Sequence, residues 1–371
     1  MYLKLIKKTV CAKSKLITGT IMAFILVAAM LTSLAASLTV NLSGAIDNML
    51  LSAKALHFMQ MHTGSVDLDQ LRSFADANGS VEEYQVLEFL NIEGAEIVIG
   101  NDSLAGSIQD NGLSVQGKKF DYLLDLNGEV IHPADGEIYV PVYYRQEGYA
   151  ALGDTVTIHG ISFHVAGFLR DSTMNAALVS SKRFLVSQAD FERVREFGQL
   201  EHLIEFRLSE GVNYPAFEAA YLDAGLPANG PPAITYNQVK MINGITDGIM
   251  IAVLVLIGML VIIVAFLCIR FTLLATIEED YKEIGVLKAI GMRVSQIKKL
   301  YLAKYGAITG VACVLGFLAS LPLQIPFMHN IRLYMGDSGS RFPGLLSGLA
   351  GGGAHLRGGH ALCEWCAAAL P

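Results

Sequence analysis

The chain has 371 residues, 53% of them hydrophobic and only 16% charged, with a formal net charge of −7. Soluble domains usually carry about 25% charge, so the composition points away from a wholly soluble chain and to a membrane protein with a sizeable soluble part. The acidic balance also argues against nucleic acid as a partner, because phosphates need a basic face.

Residues 1–16 form a basic N-terminus carrying Lys4, Lys7, Lys8, Lys13 and Lys15 without an acid. Residues 17–40 are 24 mostly apolar positions, about 36 Å as helix and enough to cross a hydrocarbon core of about 30 Å. A cleaved signal peptide is the alternative, since "SLAAS" offers small residues for cleavage. The run exceeds the roughly 7–15 residues of an ordinary signal core, which favours an anchor.

Residues 41–247 hold 12 Lys plus Arg against 28 Asp plus Glu, a balance of −16, and no cysteine. Their pattern is mixed α and β. "DLDQLRSFADANG" reads as a short helix stopped at Asn78-Gly79, and "EYQVLEFLNIEG" and "AEIVIG" read as strands. "DYLLDLNGEVIH" predicts a hairpin across Asn127-Gly128, a dipeptide that tolerates positive φ at both centres. "GEIYVPVYY", "GDTVTIHGISFHVAGFL" and "HLIEFRL" continue as strands, with "SSKRFLVSQADFERVREF" and "YPAFEAAYLDAG" as helices. His57 and His62 are five apart, as are His159 and His164, a spacing that suits neither helical nor strand metal ligation. Ser162 lacks the Gly-x-Ser-x-Gly context of a nucleophile elbow, and no phosphate-binding loop is present. The expectation is therefore no catalytic residue, no metal and no cofactor.

Residues 248–269, between Asp247 and Arg270, form the second apolar run; residues 305–328 form the third, with Pro322 and Pro326 near its far end, where a kink or early exit is expected. None of the three runs contains an Asp, Glu, Lys, Arg or His, which argues against an ion-coupled carrier. Residues 270–304 hold seven basic residues. Together with the lysines of 1–16 they place both segments in the cytoplasm and 41–247 outside the cell membrane.

Within 270–304 the stretch "EEDYKEIGVLKAIGM" reads as a short capped helix. Glu278, Glu279, Asp280 and Glu283 suit its N-terminus, Lys288 its last turn, and Gly291 the residue that ends it. Val286, Leu287 and Ile290 share one face, a small apolar patch ringed by charge. Such a helix either rests on the inner leaflet or docks into a groove of a cytosolic partner, and four acids favour the partner.

This stretch resembles the loop of the FtsX-like, or MacB-type, permeases of ABC transporters. "GEIYVPVYY", "LGDTVTI" and "FHVAGFLRDS" are similar to the MacB-like periplasmic core, and the order of span, external domain and later spans matches over about residues 1–330. The resemblance implies an extracytoplasmic α+β MacB-like core domain on transmembrane helices, a second permease unit, and a separate cytosolic ABC ATPase subunit. It also implies an ATPase-coupling segment of Glu283, Ile284, Gly285, Val286, Leu287, Lys288, Ala289, Ile290 and Gly291. The function implied is non-enzymatic: coupling of a partner's ATP hydrolysis to movement of the external domain, for export or extraction of lipid, lipoprotein or peptide. The alternatives are a mechanotransmission regulator of a cell-wall hydrolase, which shares the coupling helix, and a membrane sensor, against which only about 35 residues separate the second and third runs. The family has a fourth span, whereas residues 329–371 form a Gly/Ala-rich tail ending in "CEWC" that reads as truncated or frame-disrupted; Cys363 and Cys366 alone do not complete a zinc site.

Overall fold

The computed structural model describes residues 15–279 and 281–338. The lysines before Lys15, Asp280, and the tail from 339 with Cys363 and Cys366 lie outside the described residues, as do the side chains of Glu283, Ile284 and Leu287. The described residues divide into a helical unit, residues 15–41 and 248–329, and a mixed unit, residues 42–247 and 330–338.

Three long helices contribute to both units: α1 (Lys15–Ser52), α6 (Tyr236–Glu279) and α8 (Val294–Met335). Each holds a stretch long and apolar enough to cross a membrane, Gly19–Ser52, Tyr236–Phe271 and Tyr305–Met335. In the helical unit α1 and α8 meet along a seam that passes from large apolar residues to small ones. Ile21, Ile25 and Ala29 pack on Tyr305, Ile308 and Ala312, and a Cβ on Gly316 would lie 2.5 Å from the Leu26 carbonyl oxygen. One and two turns further along, Ser320 Oγ meets Ser33 Oγ at 3.3 Å, and Ser37 Oγ donates to Gln324 Oε1 at 3.1 Å. Small residues let helix backbones approach, and hydroxyls bond across them where water is absent. α6 instead exposes Ile249, Leu256, Met259, Leu260 and Ile263, a surface suited to hydrocarbon. α8 runs through Pro322 and Pro326 to Met335 rather than ending at them. A membrane helix tolerates proline when packing and local adjustment compensate for the lost bonds.

The mixed unit is built on one sheet of order β11-β1-β10-β2-β5-β9-β6-β8-β7-β3-β4. Its strands are β1 (Phe58–Thr63), β2 (Val81–Ile92), β3 (Ile97–Ile99), β4 (Asp102–Ser103), β5 (Asp110–Ser114), β6 (Glu137–Pro141), β7 (Thr155–Ile158), β8 (Ile161–Leu169), β9 (Ser181–Val186), β10 (Gln199–Leu208) and β11 (Ile234–Thr235). Pairing is antiparallel except for β5 with β9 and β6 with β8. At one end, α2 (Leu68–Ala77) and α5 (Tyr214–Asp223) cover Phe58, Ile204 and Phe206 with Leu71, Phe217 and Tyr221. Asp67 and Asn213 cap these helices through their side chains. A second apolar core forms around Ile138, Val156, Phe163, Phe184 and Phe191, the last from α4 (Gln188–Val194).

Three local readings are corrected. "SSKRFLV" is the central strand β9, not the start of a helix, and the helix begins only at Gln188. Lys182 and Arg183 are fully buried, so the charges of this strand are internal. "GEIYVPVYY" ends as a strand at Pro141, which has no N–H to extend the ladder, and continues as the short helix α3 (Val142–Gln146). The turn at Asn127-Gly128 has positive φ only at Gly128. Asp125 accepts the N–H groups of Asn127 and Glu129, giving a three-residue loop. The tight two-residue hairpin falls instead at His159-Gly160, where both φ are positive.

Candidate functional site

Two places combine unusual chemistry with a position to act. The first is α7 (Tyr281–Ala289), set between α6 and α8. Ile290 N donates to the Val286 carbonyl and Gly291 N to that of Lys288, and Gly291 has φ +92°. Glycine at this position ends a helix without the clash a Cβ would bring. Val286 and Ile290, one turn apart, are 59% and 75% exposed, and Tyr281, Lys282, Lys288 and Ala289 are exposed as well. Glu278 and Glu279 end α6 rather than opening α7, so the acids straddle the junction and Glu283 alone lies within the first turn of α7. After Gly291 the Gln296 side chain accepts the Arg293 N–H, and α8 begins at Val294.

The second place lies inside the mixed unit and centres on Arg183 of β9. Its Nε donates to Asp171 Oδ2 at 2.8 Å, and its Nη2 to Asp171 Oδ1 at 3.0 Å and Asp121 Oδ2 at 2.7 Å. Glu205 of β10 stands with Oε1 4.0 Å from Arg183 Nη1. Glu205 is opposite Met59 of β1 and Gln85 of β2, and Gln85 Nε2 donates to its Oε2 at 2.7 Å. All four charged side chains are at most 3% exposed.

Burial penalises the charge of Asp171, yet Arg183 and the Thr173 and Met174 N–H groups overcome it and hold its carboxyl below the usual range. Burial likewise disfavours the Arg183 cation, but Asp171 and Asp121 outweigh it and raise the guanidinium pKa. Glu205 goes the other way: burial, reinforced by Asp121, pushes its carboxyl well above the usual range, and Arg183 and Gln85 offset this only in part. Next along β9, Lys182 Nζ donates to the carbonyls of Met174, Ala176 and Val179. Burial lowers its pKa to about 8 against a smaller opposing effect of Asp171.

The two loops that Arg183 joins also hold the helix ends belonging to this unit. Asp121 N and Tyr122 N donate to the carbonyls of Lys54 and Ala53, just past α1. Asn243 of α6 donates to the Ser172 carbonyl at 2.6 Å. Arg170 directs Nε to the Leu333 carbonyl at 3.0 Å and Nη2 to the Arg332 carbonyl at 2.7 Å, capping the C-terminal turn of α8 with a cation. Asn175 Nδ2 reaches the Tyr334 carbonyl, and Gly336, with φ +85°, ends the helix. Sequence reading passed over Arg170, Asp171, Arg183, Asp121 and Glu205 as site residues. The available signal was a charge at an inward position of an apolar strand, as in "HLIEF" and "KRFLV". The histidines serve local structure: His62 Nδ1 accepts from Asn229 N, His57 Nδ1 from Leu208 N, and His159 stacks on Phe197. Among the described residues no three His, Cys, Asp or Glu side chains group as metal ligands.

Sequence and fold thus define a membrane protein of three long apolar helices and an α+β domain. Residues 255–350, which hold the later part of α6, α7 and all of α8, match the family described as FtsX-like permease C-terminal. Among solved structures, the chain is similar to the periplasmic region of MacB from Actinobacillus actinomycetemcomitans, at 13% identity and a TM-score of 0.30, over 52% of this chain and 94% of that one. No curated protein matches the chain.

Proposed function

We propose that this protein is the permease subunit of an ABC transporter, driven by a separate cytosolic ATPase through α7 and working with a second permease unit. Residues 41–247 lie outside the cell membrane, and residues 1–16 and 270–304 lie in the cytoplasm, as the distribution of basic residues supports. The observation that carries the reading is α7 itself: a short helix within the matched segment, ended by Gly291, with Val286 and Ile290 exposed. An apolar pair on a charged helix suits a groove in a partner protein. Closure of the ATPase on ATP moves α6 and α8, and these move the external domain against a lipid, lipoprotein or peptide. The tight α1–α8 seam favours transmission of motion over conduction through it.

The test is affinity purification of the tagged full-length protein from its native membranes, with ATP hydrolysis and the identity of the copurifying subunit as readouts. A Val286→Glu/Ile290→Glu double variant should insert normally and lose the ATPase. Full recovery of an ATPase by the variant, or none by the unaltered protein, would sink the assignment.

A further inference from the structure

We propose that the Arg183 centre is a proton-sensitive joint: ionisation of Glu205 draws the guanidinium from Asp121 and Asp171 and loosens the two loops that hold the helix ends. The argument begins with charge. One guanidinium faces three carboxyls in a space closed to water, and it forms hydrogen bonds to only two of them. Glu205 Oε1 has no hydrogen-bond partner, although it is fully buried. A buried carboxylate in that position would be an uncompensated charge, so the arrangement suits the neutral acid. The groups facing Glu205 are Gln85 from β2, Arg183 from β9, and Asp121 and Asp171 from the two loops; Met59 of β1 brings no charge. Lys182 is already engaged with three carbonyls and does not supply the missing cation.

When Glu205 gives its proton to solvent, the new carboxylate competes for Arg183 Nη1 and Nη2. Asp121 and Asp171 then lose part of their shared donor. Asp121 has little slack, since its own φ is +51° and its N–H holds the Lys54 carbonyl. Asp171 positions Thr173 and Met174, beside the Ser172 carbonyl that receives Asn243. One proton thereby acts on the segments that bind the ends of α1, α6 and α8. Its bearing on transmission rests on the function proposed above; the proton sensitivity itself does not.

Hydrogen exchange of the full-length protein in detergent, followed from about pH 6 to about pH 9 and corrected for intrinsic exchange, tests this. Residues 119–123 and 170–176 should lose protection by about tenfold or more with rising pH, while the β7–β8 hairpin keeps its own. Glu205→Gln, which mimics the neutral acid, should abolish that loss, and Glu205→Met should do the same if the glutamine variant folds poorly. Flat protection in the unaltered protein, an identical loss in both variants, or a loss spread evenly over the sheet would overturn the proposal. No ATPase is present in this experiment, so its failure is separate from failure of the α7 assignment.

Discussion

Replacing Arg170 by methionine isolates what holds the end of α8 in the mixed unit. The side chain is 6% exposed and donates to the carbonyls of Arg332 and Leu333 on α8, and of Leu126 and Asp125 in the adjoining turn. A hydrogen bond to a charged group contributes about 1.5–3 kcal/mol net, but four from one guanidinium are not additive. Leu333 belongs to the last turn of α8, where carbonyls lack an intrahelical partner, so losing the cation leaves its carbonyl unpaired, while the Arg332 carbonyl keeps the Gly336 N–H at 3.0 Å. We expect a loss of about 2–4 kcal/mol, since a charged donor is removed and a buried carbonyl is left unsatisfied. In a domain of this size that corresponds to a fall in Tm on the order of 10 °C. Methionine keeps much of the side-chain volume, so little of the effect comes from a cavity. Arg170→Lys should recover part of the loss, because it retains the charge and loses the planar fork. Thermal unfolding of the full-length protein in detergent gives the magnitude, and hydrogen exchange at residues 330–336 gives the place. A Tm within about 2 °C of the unaltered protein, or a loss without faster exchange at 330–336, would refute the capping role.

Three further outcomes are open to measurement. Gly316→Leu should separate α1 from α8, since its Cβ would meet the Leu26 carbonyl at 2.5 Å and Ala29 Cβ at 2.9 Å; a Ser33→Cys/Ser320→Cys pair should form a disulfide only without that substitution. In a cysteine-free background, a cysteine at Leu178, which is 65% exposed, should react with an impermeant maleimide on intact cells, and one at Ile290, 75% exposed, only after permeabilisation; the reverse pattern would invert the topology. Lys182, lowered to about 8 by burial, should make stability rise with pH from about 8 towards the unfolded lysine value of 10.5, because the unfolded chain binds more protons in that window. Lys182→Met should remove that rise in urea unfolding followed against pH, and an unchanged slope would show that Lys182 does not titrate there.

The long apolar helices were legible because a membrane demands uninterrupted apolar length, and α7 because glycine and a charged apolar face leave a local signature. The tight hairpin at His159-Gly160 was hidden inside a run read as continuous strand, and β9 was misread because Lys182 and Arg183 break the apolar pattern. Their burial depends on Asp121, Asp171 and the carbonyls of Met174, Ala176 and Val179. Of these, Asp121 is more than 60 residues away in sequence. A one-dimensional pattern shows that a charge is present but not that a partner awaits it. For the same reason Arg170, whose partners on α8 lie more than 160 positions downstream, left no trace as a helix cap.

That separation also fixes an order of assembly. Chains are made from the N-terminus, and domains begin to fold as they emerge. Every strand of the mixed unit and the Asn243 anchor exist before α8 does, yet the carbonyls that Arg170 and Asn175 seek arrive only with Arg332, Leu333 and Tyr334. Until then a buried guanidinium and a buried amide lack these partners, and the domain is left ajar at one edge. Insertion of α8 is thus the last folding step of a domain it joins through only a few residues. A chain that stalls before residue 332 would present that open edge to proteases and chaperones.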